Sequence, residues 1–120
     1  MKIKESAENY LESILMLQRK NGTVRSIDIA RELSFTKPSV SVAMKSLREE
    51  GYVEVDETGN ITLTQKGRSI AENMFERHQV LAKALIAIGV DEQTAYEDSC
   101  KIEHHISQQS FNKIKEYFSK

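Results

Sequence analysis

Two short helical patterns in this chain are separated by only three residues, and that brevity constrains the fold more than any other feature. Ser26 is placed to cap a helix over Ile27–Leu33, with Asp28 in its first turn. Ser34-Phe35-Thr36 follows, and Pro38 stands in the first turn of the next helix, where its missing N–H costs nothing. That helix runs from about Lys37 to Glu50, turns Val40, Met44 and Leu47 inward, and ends at Gly51. A connection this short makes consecutive helices cross, the geometry of a helix-turn-helix.

The flanking segments complete the motif. Ile3 to Lys20 reads as a helix, because Ala7, Tyr10, Leu11, Ile14, Leu15 and Leu17 recur at spacings of three and four, and Asn21-Gly22 stops it. After Gly51, Tyr52-Val53-Glu54-Val55 and Ile61-Thr62-Leu63-Thr64 alternate around Thr58-Gly59-Asn60, a hairpin pattern. Helix, helix, short turn, helix, hairpin is the order of a winged helix-turn-helix. Thr64 then caps a long helix, Gln65 to Ile88, ended by Gly89. Asp91 caps a helical stretch reaching about Gln108, and Ser110 caps a last one, Phe111 to Phe118. The fold expected is mainly α, with a winged helix-turn-helix over residues 1–66 and an all-helical domain over 67–120. Ile70, Met74, Leu81, Leu85 and Ile88 give the long helix an apolar stripe that favours a homodimer in so small a chain.

Composition excludes several classes. At 120 residues and 39% hydrophobic, the chain is one domain's worth of ordinary globular protein rather than a disordered one. No apolar run approaches the roughly 18 residues of a membrane span, and Lys83 interrupts the best candidate, Leu81 to Val90. Met1-Lys2-Ile3-Lys4-Glu5 turns polar too soon for a secretory signal. The sole cysteine, Cys100, excludes an internal disulfide scaffold, so a reducing cytoplasm is expected.

The net charge of −1 hides an asymmetry. From Arg19 to Arg48 stand seven bases (Arg19, Lys20, Arg25, Arg31, Lys37, Lys45, Arg48) against Asp28 and Glu32, and then Glu49, Glu50, Glu54, Asp56 and Glu57 follow without a base. The basic window coincides with the helix-turn-helix, which points to double-stranded DNA as partner. Thr36, Ser39 and Ser41 are small and polar at the start of the third helix, suited to phosphate oxygens and close approach to base edges. Pro38 opens the same turn, Lys37 and Lys45 reach the backbone on either side, and Arg25 precedes the second helix. The acidic hairpin argues against deep wing–phosphate contact.

Cys100, Glu103 and His104 form the densest cluster of ligand-type side chains. At positions i, i+3 and i+4 of a helix they share a face, and thiolate, carboxylate and imidazole on one stripe suit a divalent transition metal. His105 points elsewhere. Singly, each has a plainer reading: a small buried thiol, an exposed acid, a partly buried histidine. One rival is a small metal-dependent hydrolase, but the chain has no His-Glu-x-x-His, Gly-rich phosphate loop or nucleophile elbow, so no enzyme and no small-molecule substrate is expected. Another is a metal-independent winged-helix regulator, or interaction module, in which Cys100 senses oxidation.

The sequence resembles the diphtheria toxin repressor family of metal-dependent transcriptional regulators, and in size its manganese-transport-regulator members. The resemblance runs from about Ser6 to Tyr117 and rests on Ala7-Glu8-Asn9-Tyr10-Leu11-Glu12, Ile29-Ala30-Arg31-Glu32-Leu33 and Pro38-Ser39-Val40-Ser41. Leu63-Thr64-Gln65-Lys66-Gly67, Arg77-His78 and Cys100-Lys101-Ile102-Glu103-His104 complete it. It implies a homodimer, paired through a metal-binding and dimerisation domain, that binds a palindromic operator when loaded with Fe²⁺ or Mn²⁺ and represses metal-uptake genes. It implies metal ligands at Glu12, His78, Cys100, Glu103 and His104, with Asn9 a further candidate. The SH3-like domain of longer members is expected to be missing. Position nine is aspartate in manganese-type members and methionine in iron-type ones, whereas this chain has Asn9. Cys100 follows the iron-type pattern where manganese-type members carry glutamate. Ala82 and Tyr96 stand where the iron-type ancillary site needs a carboxylate and an imidazole. One main metal per subunit is therefore expected, with Fe²⁺ favoured over Mn²⁺ by the soft thiolate. Since Glu12 belongs to the DNA-binding half and the other charged ligands to the dimerisation half, a bridging metal would fix the spacing of the two recognition helices.

Overall fold

The computed structural model describes residues 4–119, which form six helices and one two-stranded sheet. Ile3, the expected start of the first helix, lies outside the described residues. α1 spans Glu5–Asn21, and Gly22 ends it at φ 83°, donating its N–H to the Gln18 carbonyl at 2.8 Å. Asn21 is thus the last helical residue, and the positive φ falls on glycine, where it costs least.

α2 covers Ser26–Leu33. Its N-cap is Arg25, not Ser26: the backbone there is extended, and the Asp28 carboxylate accepts the Arg25 N–H at 2.9 Å. The cap is therefore closed from the third helical residue backward, so that no serine side chain is needed in front. Ser34 takes the left-handed conformation at φ 57°, the one non-glycine residue with positive φ among those described, which lets three residues turn the chain into α3. α3 spans Lys37–Glu49, with Pro38 in its first turn and Thr36 Oγ1 accepting the Ser39 N–H at 3.3 Å.

β1 (Val53–Val55) and β2 (Ile61–Leu63) pair antiparallel, Val53 opposite Leu63 and Val55 opposite Ile61. Thr64 caps α4, Gln65–Ala87, accepting the Gly67 N–H at 3.2 Å while its hydroxyl donates to the Gly51 carbonyl at 2.6 Å. α4 stops one residue before Ile88, which lies outside it and is 69% exposed in the single chain. α5 spans Glu92–Ile102, capped by Asp91, and α6 spans Gln108–Phe118. The helix expected to continue to Gln108 ends six residues earlier. The next cap is Ser107, whose Oγ accepts the Ser110 N–H at 3.1 Å, so Ser110 is the third residue inside α6 rather than its cap.

The chain divides into two compact units, Met1–Glu72 and Asn73–Lys120, the divide falling within α4. In the first, α1 packs on α2 and β2, α2 on α3, and α3 on β1. Leu11, Ile14, Leu15, Val24, Ile29, Val40, Val53 and Ile61 are fully buried. The Ile61 N–H donates to the Val24 carbonyl at 2.7 Å, and Asn60 Oδ1 accepts the Val24 N–H, tying the wing to the segment between α1 and α2. The unit is a winged helix-turn-helix. The second unit holds the rest of α4 with α5 and α6, and buries Met74, Leu81, Ala82, Ala84, Ala95 and Phe111. Among the described residues no helix is long and apolar enough to cross a membrane.

Gly67 sits where α4 crosses the end of the wing, and a Cβ there would fall on the Tyr52 carbonyl oxygen. Alanine ordinarily favours a helix interior over glycine by about 1 kcal/mol. Gly67→Ala is nevertheless expected to cost about 1–3 kcal/mol through overpacking, read as a lower unfolding midpoint by circular dichroism. A midpoint at or above the wild type would contradict the close approach.

Asp56 organises the wing turn, its Oδ1 accepting from the Thr58 hydroxyl at 2.7 Å and from the Thr58 and Asn60 amides. The Thr58 hydroxyl first, then the Asn60 amide, hold its carboxyl below the ordinary aspartate value of 3.8. A carboxyl depressed in the folded state stabilises above the unfolded-state value and loses that contribution as pH falls through the folded-state value. The Thr58 and Asn60 amide resonances are expected to titrate with a midpoint under 3.8, and Asp56→Asn should abolish the transition.

Candidate metal centre and nucleic-acid face

The ligand-type residues of the second unit converge around Glu103. α4 supplies His78, the last turn of α5 supplies Cys100, and the residues after α5 supply Glu103 and His104. Glu103 N–H still bonds to the Ser99 carbonyl at 3.0 Å, and Glu103 keeps helical backbone angles as the C-cap. The shared face of Cys100 and Glu103 thus survives the end of the helix, while His104 is carried in the turn beyond it.

Glu103 is buried, and its two oxygens face two different rings: Oε2 lies 3.5 Å from His78 Nδ1, and Oε1 lies 3.4 Å from His104 Nε2. Cys100 Sγ lies 3.6 Å from the same His78 Nδ1. His78, Cys100 and Glu103 each offer a donor atom, all within 4.8 Å of one another. Donors about 2.0–2.3 Å from one tetrahedral cation stand about 3.3–3.8 Å apart, so the separations of 3.5 and 3.6 Å from His78 Nδ1 fit a shared divalent ion. The set of imidazole, thiolate and carboxylate fits a first-row transition metal better than Mg²⁺ or Ca²⁺, which take oxygen. His105 is exposed.

Two neighbours of this cluster were not given roles by sequence reasoning. The Tyr96 ring stacks on His78, centroids 5.9 Å apart and planes 17° from parallel, which fixes the imidazole plane. Arg77 is buried and donates from Nη1 to the Glu103 carbonyl at 3.0 Å and to the Ile106 carbonyl at 2.7 Å. The one signal for Arg77 in the sequence is its place beside His78; Tyr96 gives none, because stacking depends on where α5 meets α4.

Glu12 and Asn9 belong to α1 in the first unit, three residues apart and so on one face of it. Glu12 is buried, an unusual place for a carboxylate, and Asn9 is half-buried. On the same unit, Arg25, Thr36, Lys37, Pro38, Ser39, Ser41 and Lys45 are all exposed. Pro38, Ser41 and Lys45 recur at helical spacing on the outer face of α3, opposite buried Val40, Met44 and Leu47. Val42, 71% exposed beside them, is an apolar member of that face which the reading of the inward residues passed over. Thr36 and Ser39 hydroxyls bond to each other at 2.8 Å while Thr36 caps the helix, so their first task is to shape the α3 terminus.

A winged helix-turn-helix followed by a helical unit with such a cluster is the architecture of a metal-responsive DNA-binding protein. Comparison with known proteins agrees. Residues 2–60 match the family model described as iron dependent repressor, N-terminal DNA binding domain, and residues 64–120 match iron dependent repressor, metal binding and dimerisation domain. The HTH-type transcriptional regulator MntR of Lysinibacillus sphaericus is 37% identical over 109 residues, 91% of this chain and 78% of that protein. MntR of Bacillus subtilis is 37% identical over 91% of this chain and 77% of its own. Among solved structures, that of IdeR from T. acidophilum superposes with a TM-score of 0.80 at 28% identity, over 100% of this chain and 56% of that one. A manganese-dependent transcriptional repressor in complex with manganese superposes at 0.86 with 25% identity, over 94% of this chain and 52% of that one. The chain belongs to the iron-dependent repressor family, the diphtheria toxin repressor family that its motifs resemble. It is accordingly a metal-dependent transcriptional repressor and not an enzyme.

The cluster is expected to show itself optically. Titration with Co²⁺ should raise a sulfur-to-metal charge-transfer band in the near ultraviolet, and Cys100→Ser should remove it while leaving circular dichroism unchanged. A cobalt complex of the wild type without that band would exclude the thiolate from the site.

Proposed function

We propose that this chain is a homodimeric repressor of metal-uptake genes that binds a palindromic operator when one divalent cation per subunit, Fe²⁺ in preference to Mn²⁺, occupies the site around Glu103. The observation that carries this reading is the meeting of His78, Cys100 and Glu103 donors within one another's reach. His78, Cys100, Glu103 and His104 would hold the ion from residues 67–120, and Glu12, with Asn9 beside it, from residues 1–66. The cation supplies positive charge and directed coordination that bring carboxylates and a thiolate together. Buried Glu12 and Glu103 are carboxylates that would repel each other at one site without a cation to compensate them. Their pairing orients the reading heads rather than adding a contact to DNA.

Residues 1–66 would do the reading. Lys37, Lys45 and Arg25 would neutralise phosphates, while Thr36, Pro38, Ser39 and Ser41 bring the start of α3 against base edges. A two-fold dimer reads half-sites about one DNA turn apart, roughly 34 Å, hence a palindrome. The work is that of the cytoplasm, where the DNA is. Preference for Fe²⁺ rests on the Cys100 thiolate, a softer donor than Mn²⁺ selects. Manganese is the competing choice, because the manganese-dependent transcriptional repressor that is 25% identical to this chain was solved in complex with manganese.

Affinity for duplexes selected from a random pool, measured with Fe²⁺ under anaerobic conditions, with Mn²⁺ and with chelator, tests the reading. Either metal is expected to tighten binding at least about tenfold, a coupling of about 1.4 kcal/mol, with the lower saturating concentration for Fe²⁺. Glu12→Gln should remove most of that gain. Equal affinity in all three conditions would refute metal control, and saturation at lower Mn²⁺ would reverse the metal assignment.

A further inference from the structure

We infer that Arg77 is a positioning residue of the metal centre, holding the turn that carries Glu103 and His104 against the helix that carries His78. This rests on the reading that those side chains bind a divalent cation. The need for such a residue follows from where α5 ends. Past Ile102 the regular helix ends: Glu103 N–H still reaches the Ser99 carbonyl, but His105 and Ile106 N–H groups both return to the Ile102 carbonyl, at 2.9 and 3.0 Å. The carbonyls of Glu103 and Ile106 then face the interior and need donors from elsewhere.

Arg77 provides them. Nη1 donates to both carbonyls, Nη2 donates to Gln108 Oε1 at 2.9 Å, and the guanidinium carbon lies 5.6 Å from the Phe111 ring centroid, so one planar group spans the turn from its first residue to the start of α6. A guanidinium suits the task because its donors are fixed in one plane, and its charge complements the negative end of α5. Arg77 and His78 are consecutive on α4. The same turn of helix therefore sets a donor ring and the clamp on the segment opposite, and the separation of His78 from the Glu103 carboxylate is governed by the Arg77 side chain. Cys100 lies within regular α5 and does not depend on it.

Co²⁺ is the probe, used with the full chain. Arg77→Gln removes the charge and shortens the reach, Arg77→Lys keeps the charge but offers a single nitrogen, and Gln108→Leu removes only the third partner. Arg77→Gln is expected to weaken Co²⁺ binding about 10–100-fold, the usual effect of losing a residue that orients ligands. At saturation it should keep the sulfur charge-transfer band of Cys100 but alter the visible d–d bands, which report Glu103 and His104. Arg77→Lys should fall between it and the wild type, and Gln108→Leu should bind like the wild type. If Arg77→Gln fails to fold, Arg77→Lys decides. Variants with native circular dichroism, lowered melting temperature and wild-type Co²⁺ affinity and spectrum would make Arg77 purely structural and overturn the proposal. No Co²⁺ binding by the wild type would instead overturn the metal reading beneath it.

Discussion

Helix α5 stops at Ile102, and the arrangement of the proposed metal centre depends on that stop. Were the helix to continue, Glu103 and His104 would be neighbours on a regular surface, about 100° apart around its axis. Instead Glu103 caps the helix and His104 lies in the turn, so that one carboxylate meets an imidazole on each side, at 3.5 and 3.4 Å. The turn past the helix end leaves the carbonyls of Glu103 and Ile106 to find donors, and the buried guanidinium of Arg77 donates to both. Termination, clamping and ligand placement are one piece of local structure.

In the first unit the same economy applies to the reading helix. α3 is delivered by a left-handed serine, a threonine cap and a first-turn proline, and its inner face is fixed by Val40, Met44 and Leu47. Because the inner face is settled by burial, the outer face is open to small polar and basic side chains, and Val42 stands there among them. The wing carries the opposite charge, and its turn is stabilised by Asp56 accepting three local donors rather than by basic residues offered to phosphate.

The donors around Glu103 are chemically mixed. A thiolate and an imidazole favour softer transition metals, and carboxylates favour harder ones, so a site that joins them discriminates by geometry and availability more than by intrinsic affinity. That makes orientation of the donors, by the Tyr96 stack on His78 and the Arg77 bonds behind Glu103, as consequential as donor identity.

Much of this was legible in the residues. Helical periodicity, the three-residue connection, Pro38, the wing's alternation and the Thr64 and Asp91 caps each depend on interactions within a few positions, and sequence reports those directly. The nearness of Cys100 and Glu103 was visible for the same reason, whereas the helical face expected to carry His104 with them ends before it. What the sequence did not settle were competitions between near-equal local choices: Arg25 over Ser26 as a cap, Ser107 over Ser110, and a helix end at Ile102 where nothing in the pattern demands one. The two caps were decided by partners only three residues on, Asp28 for Arg25 and the Ser110 amide for Ser107, between choices the pattern leaves nearly equal. The Gly67 approach to Tyr52, the stacking of Tyr96 on His78 and the reach of Arg77 to Ile106 exist because packing brings distant segments together, and no short-range pattern encodes a contact whose two ends are set by different helices.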